Sequence, residues 1–296
     1  MFDAIIVGGS YAGISAALQL VRARRSVLVL DSGSRRNRFA STAYGFLGHD
    51  GRAPGAIVAD GREELLGYPT VKWVDVVAES ARPSGRGFTV ATANGESHEA
   101  RRLILATGVV DELPDVPGLA ERWGKGVYHC PYCHGYELGN GRIGVLATSE
   151  GSMHHALLLP DWGSTTFFLN DAFDPDADQR AQLHERGVAI ETQRIERLTG
   201  SRADVELADG RVVPLDGLFT LTHTRMASPL AEQLGCAFEQ GALGLCIETD
   251  AFKETTIPGV FACGDAARAA GNVPLAVGDG TLAGIGAHQS LIFREE

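Results

Sequence analysis

The chain has 296 residues, 44% of them hydrophobic, enough to fill two ordinary domain cores. Its 37 acidic side chains against 26 Lys and Arg leave a formal charge of -11, which repels polyanions and excludes nucleic acid as the expected partner. No apolar run approaches the roughly 20 residues needed to cross a bilayer, and Met1 leads straight into a strand-like segment with no signal-peptide pattern. The expectation is a cytoplasmic protein without a membrane partner.

Residues 2–7 are a short apolar strand, 12–24 have helical periodicity, and 26–30 form a second apolar strand closed by Asp31, together a βαβ unit. Residues 88–92 and 99–106 are β-rich and end in Ala106-Thr107-Gly108, followed by a Pro-bearing linker at 111–118. A second strand, helix and strand recur at 142–147, 152–162 and 164–170, as a degraded copy of the first unit. A return crossing is expected near 241–245, after which 260–265 reads as a strand running into a turn and the chain closes with a helix. The predicted fold is therefore α/β, with two Rossmann-like three-layer domains of the FAD/NAD(P)-binding type, the first split around the second. The first comprises residues 1–113 and 245–296, the second 114–244.

Two constellations carry chemistry. Gly8-Gly9-Ser10-Tyr11-Ala12-Gly13 joins strand to helix, where glycines permit a tight turn and a helix N-terminus can receive a pyrophosphate. Ser10 replaces the middle glycine of G-x-G-x-x-G, and Asp31 stands about 20 residues on, where an acid binds a ribose hydroxyl. A tight turn in any α/β protein is the competing reading. The second constellation is His129-Cys130-Pro131-Tyr132-Cys133-His134-Gly135, two thiols at the C-x-x-C spacing of an exchangeable disulfide. A zinc site would need two further ligands, and no second C-x-x-C or spaced His pair supplies them, so no metal is predicted. His134 can serve as acid or base beside the thiols, whereas His129 reads as a structural neighbour.

The resemblance carried by these residues is to the low-molecular-weight thioredoxin reductase flavoproteins, and it covers nearly the whole length. Residues 5–13 resemble the FAD fingerprint, Ala106-Thr107-Gly108 the A-T-G turn, Cys130 to Gly135 the C-x-x-C-D-G centre, and Gly259 to Asp265 the G-V-F-A-x-G-D flavin motif. What the resemblance implies is a homodimer holding FAD in the split domain. Gly264 would belong to the cofactor-binding motif, Asp265 would lie near the ribityl chain, the Asn272-Val273 backbone near the isoalloxazine ring and Cys133 toward the flavin, with Cys130 as the thiol exchanging with substrate.

Two departures redirect the reading. The glycine triplet of the reductases' second nucleotide turn falls on Ala147-Thr148-Ser149, and the next strand ends at Asn170-Asp171 with no Arg or Lys before Arg180, which hinders a pyrophosphate and a 2′-phosphate. NADH bound through Asp171 remains the alternative. His134 replaces the family's Asp, and Cys130 to Glu137 resembles the C-x-x-C-H-G-Y-E sequence of the gliotoxin and holomycin dithiol oxidases. In that subgroup a small dithiol reduces the enzyme disulfide and O2 reoxidises the flavin to give H2O2. The expected partners are a small dithiol or dithiol peptide and O2. The alternatives are a thioredoxin reductase using NAD(P)H atypically or a donor such as ferredoxin, and a flavin redox sensor without turnover.

His154-His155 are expected at a surface or interface. In the polar run Arg35 to Arg38, Asn37 is the candidate FAD contact against a solvated charge run. The Gly-rich turn carrying His49-Asp50 either approaches the flavin or is an ordinary loop. Cys236, Cys246 and Cys263 are given no chemistry.

Overall fold

Residues 4–7 are apolar at every position, the pattern of a strand covered on both faces, and they lie fully or nearly fully buried in β1 (Phe2–Val7). The structure, a computed structural model, describes residues 1–269 and 271–294. Ala270, Glu295 and Glu296, which the expected flavin domain includes, lie outside the described residues. After β1 come α1 (Tyr11–Arg22), β2 (Val27–Asp31), α2 (Pro54–Leu66), β3 (Val71–Asp75), and a meander of β4 (Ala78–Ser84), β5 (Gly87–Thr92) and β6 (Ser97–Leu105). The crossing strand β7 (Val109–Glu112) leads out of this unit.

The second unit contains β8 (Val127–Tyr128), α3 (Pro131–His134), β9 (Asn140–Leu146), α4 (Met153–Leu158), β10 (Gly163–Phe168), α5 (Ala177–Glu185) and β11 (Ala189–Glu191). A small sheet of β12 (Ile195–Thr199), β13 (Asp204–Leu207) and β14 (Val212–Val213) precedes β15 (Gly217–Thr220). The chain returns through β16 (His223–Met226), α6 (Leu230–Leu234), β17 (Phe238–Gln240) and β18 (Leu245–Ile247), then closes with β19 (Val260–Ala262) and α7 (Val273–Phe293).

The first sheet has the order β3-β2-β1-β6-β5-β4, with β19 also on β6, so strands from both ends of the sequence share it. Its pairs are parallel except in the β4-β5-β6 meander. Alternate residues of β1 and β2 enter different cores: Ile5, Leu28 and Leu30 pack toward the meander and α6, while Ala4, Ile6, Val27 and Val29 pack toward α1 and α7. The second sheet, β11-β10-β9-β15-β8, is parallel throughout. It lies between α4 and α5 on one face and the β12–β14 sheet on the other. This is the expected α/β arrangement of two Rossmann-like units, with strands supplying the outer layer on one side of each.

Three local expectations shift. The helix expected over 152–162 is only α4, because Pro160 has no N–H and its ring opposes a further helical turn; residues 159–161 form a 3-10 turn instead. His155 on that helix is buried rather than superficial, while His154 is exposed. The return crossing comes before 241–245: β16 pairs antiparallel with β7, and Leu230, Ala231 and Leu234 already pack in the first core. Among the described residues no helix is long and apolar enough to cross a membrane.

Candidate active site

The carboxyl ends of β1, β2, β6 and β19 open onto one cavity of about 660 Å³, the place where parallel α/β sheets receive nucleotides. Its floor is the turn between β1 and α1. Gly8 has φ +105°, and a Cβ there would strike the Ala106 carbonyl; a Cβ at Gly13 would run into the carbonyl oxygen of Gly8. Close main-chain packing therefore demands glycine at both positions. The Gly9 N–H donates to Asp31 Oδ1 at 3.0 Å, tying the end of β2 to the turn. Ser10 caps α1 without a side-chain hydrogen bond, so the first-turn N–H groups are left for a ligand rather than closed by a hydroxyl.

Gly8, Ser10, Tyr11, Ala12, Asp31, Asn37, Ala106, Thr107, Gly108, Gly264, Asp265, Asn272 and Val273 all line this cavity, and Gly13 supports the turn from behind. Asn37 donates through Nδ2 to the Tyr11 hydroxyl at 3.0 Å, and that hydroxyl donates to the Pro54 carbonyl at 3.2 Å. Asn37 Oδ1 is buried without a partner among the described residues, an acceptor suited to an amino or hydroxyl donor of a bound nucleotide. The Asn272 side chain accepts from the Leu275 N–H at 2.9 Å to cap α7 at the cavity edge. The glycine cradle, the open helix terminus and the orphaned acceptor fit an adenine dinucleotide such as FAD.

At the far end of the cavity lies the cysteine pair. Cys130 is the N-cap of α3 and Cys133 sits in its single turn; the two are disulfide-bonded with Cα atoms 5.3 Å apart. Pro131 occupies the first helical position, where its missing N–H costs nothing. Gly135 follows because a Cβ there would meet the Trp162 ring and the Pro131 carbonyl. Cys133 lines the cavity; Cys130 lies outside its lining.

His134 also faces the cavity, half-buried, with its ring stacked on Tyr128 at 4.4 Å between centroids and 16° between planes, and edge-on to Tyr44 at 6.5 Å. The Tyr128 hydroxyl is anchored by donating to the Lys125 carbonyl at 2.6 Å. Burial presses the His134 pKa down to about 4, so the imidazole is neutral at neutral pH and carries a free ring nitrogen able to accept a proton.

Two elements of the site escaped sequence reasoning. Arg36, read there as part of a charge run, donates Nε and Nη2 to the two oxygens of Asp111 at 2.8 and 2.6 Å, and Nη1 to Asp265 at 2.8 Å. Burial would raise the Asp111 pKa, but the guanidinium overrides it and holds the carboxyl below its ordinary value. His129 lines the cavity as well, its ring tilted over Trp123. Burial and the Arg36 charge lower its pKa to about 4 against the pull of Asp111. The only sequence signal for the Arg36 cluster was an Arg with acids at 111 and 265, too far apart to pair by inspection. In the 45–51 turn it is the preceding Tyr44 that lines the cavity, while His49 hydrogen-bonds Arg52.

The second nucleotide turn is tied by its own hydrogen bonds. Thr148 N–H donates to Ser152 Oγ at 3.0 Å, and Glu150 opens the following turn, accepting from Gln179 at 2.7 Å. Asn170 Oδ1 accepts from the Ile195 N–H, and Arg180 is engaged by Asp174 and the Pro175 carbonyl. Among the described residues no group of three or more His, Cys, Asp or Glu is placed to hold a metal ion.

Fold and site together define a flavin-dependent disulfide oxidoreductase. Residues 2–280 match the pyridine nucleotide-disulphide oxidoreductase family, and the chain belongs to it. It is 34% identical to the thioredoxin reductase tcpT of Claviceps purpurea, over 95% of this chain and 92% of that one. It is 33% identical to the thioredoxin reductase aclD of Aspergillus oryzae, over 100% and 98%. Among solved structures, an oxidoreductase from Agrobacterium tumefaciens superposes with a TM-score of 0.97 at 57% identity over 99% of both chains. HlmI does so at 0.92 and 36% identity over 98% of this chain and 92% of that one. FAD is the cofactor of this enzyme class, and the chain is an FAD-dependent disulfide oxidoreductase.

Proposed function

We propose that the protein is a dithiol oxidase, which closes a disulfide in a small dithiol or dithiol peptide and passes the electron pair to O2, giving H2O2. The observation that carries this reading is the contrast between the two nucleotide turns. One is an open glycine cradle; in the other the Thr148 N–H is already taken by Ser152 Oγ, and an acid, Glu150, opens the next turn. FAD in the open site supplies a two-electron acceptor that O2 reoxidises.

The chain's own residues would act as follows. One substrate thiol, losing its proton to neutral His134, attacks Cys130 Sγ and expels Cys133 as a thiolate facing the cavity. The second substrate thiol then attacks the mixed disulfide and releases oxidised substrate, leaving two electrons on the Cys130/Cys133 pair. We assign the flavin unit to residues 1–113 and 245–296 and the cysteine-bearing unit to 114–244, with residues 227–244 docked on the flavin unit. The site residues named above keep these roles in a cytoplasmic homodimer.

The relatives, named as thioredoxin reductases, favour a second reading, a thioredoxin reductase that draws electrons from a nicotinamide nucleotide or another donor. Anaerobic mixing of the holoprotein with NADPH, NADH or dithiothreitol separates the two. The oxidase reading expects the yellow flavin band to bleach with dithiothreitol alone, and steady O2 consumption in air. Rapid bleaching by either nucleotide overturns it.

The role of His134 predicts a pH effect with a definite sign. Tyr128→Ala opens one face of the imidazole to water, so its pKa rises from about 4 toward the ordinary value near 6.5. The basic form is then lost at higher pH, and the acid limb of dithiol-driven flavin reduction moves up by about one to two pH units. Tyr128→Phe keeps the stack and leaves the limb in place, and His134→Asn removes it. A limb that stays fixed in Tyr128→Ala rejects His134 as the proton acceptor.

A further inference from the structure

β7 leads out of the first sheet and β16 leads back from the second, and they pair with each other as a two-stranded ribbon of four residues each. Such a ribbon is marginal by itself, so the placement of the cysteine unit over the flavin cavity depends on what pins it. Arg36, at the start of the 3-10 turn after β2, donates two N–H groups to Asp111 in the middle of β7. Thr222, the residue before β16, donates its hydroxyl to the same Asp111 oxygen at 2.8 Å. The remaining guanidinium nitrogen holds Asp265, whose carboxylate also packs against Gly271, where a Cβ would collide with it. The Arg36, Asp111 and Asp265 side chains are only 16%, 7% and 21% exposed, so water screens these bonds weakly.

We propose that Arg36 is a positioning residue: its guanidinium fastens β7 to the flavin unit directly and the start of β16 through Asp111 and Thr222, fixing Cys133 at the cavity, and at the same time orients Asp265. A lysine keeps the charge but cannot span both carboxylates with a fork. Loss of the guanidinium leaves the Asp111 and Asp265 carboxylates without the partner they share. The inference rests on FAD binding in this cavity and is independent of whether the electrons go on to O2.

The test uses holoprotein with FAD in excess and reads amide hydrogen exchange together with the bound flavin. In Arg36→Met, exchange over residues 107–113 and 222–226 should accelerate at least tenfold, while β1 and β9 keep their protection. The visible flavin band should shift, and flavin reduction by dithiothreitol should slow at least tenfold with FAD still bound. Arg36→Lys should recover part of both effects. Where Arg36→Met does not fold, Thr222→Val removes one bond to Asp111 and should accelerate ribbon exchange a few-fold. Unchanged ribbon exchange in either variant overturns the proposal, and so does an acceleration that is equal in β1 and β9.

Discussion

Cys133→Ser should keep its FAD and lose at least about a thousandfold in the rate of flavin reduction by dithiols. Cys133 is the member of the pair that lines the cavity, while Cys130 sits outside it. A serine hydroxyl has nearly the same size but forms no disulfide, so Cys130 is left as a free thiol and a substrate thiol has no disulfide to attack. Nothing in the FAD cradle changes: Gly8 to Gly13, Asp31 and the 106–108 turn lie on other elements. Stopped-flow absorbance under anaerobic conditions gives the rate, and the visible spectrum of the purified variant gives FAD occupancy. Dithiol reduction at an undiminished rate would remove the cysteine pair from the electron path, whereas a colourless variant would mean that the cysteine supports the cofactor structurally. The companion Cys130→Ser should lose the same steady turnover, because the thiol that exchanges with substrate is then missing.

Local chemistry made the catalytic motifs legible before any coordinates. A glycine turn between an apolar strand and a helix, an acid at the end of the next strand, and two thiols one helical turn apart are each short-range patterns, and each lies on the cavity or directly behind it. What could not be read was the pairing of distant charges. Arg36 stands 75 residues from Asp111 and 229 from Asp265, separations at which nothing in local periodicity specifies a partner. The same limit hid Tyr128 and Tyr44 as the walls around His134. The β7 and β16 strands are only four residues each, too brief for alternation to announce them. Burial of His155 was missed for a related reason: adjacent histidines on a helix point to different faces, and only the packed sheet decides which face is covered.

The cofactor prediction with the largest effect concerns Gly13. A Cβ at this position has no room, because it would overlap the Gly8 carbonyl oxygen, and Gly8 is itself pressed on the Ala106 main chain. Neither neighbour is a flexible side chain that can swing away. Gly13→Val must therefore push α1 off β1 and spread the turn whose N–H groups face the ligand. A displacement costing about 3–4 kcal/mol weakens FAD binding by roughly 10²- to 10³-fold, enough for the protein to purify largely colourless. Gly278→Ala is the matched control, since its Cβ meets nothing within 4 Å and it sits inside α7. That change should leave FAD affinity unchanged and add slightly to helix stability. Equilibrium titration of stripped protein with FAD, followed by flavin fluorescence, measures both variants. Because bound cofactor stabilises the folded state by mass action, the melting temperature of Gly13→Val should also stop responding to added FAD. A yellow Gly13→Val protein with undiminished affinity would place the cofactor's phosphates somewhere other than the β1–α1 turn.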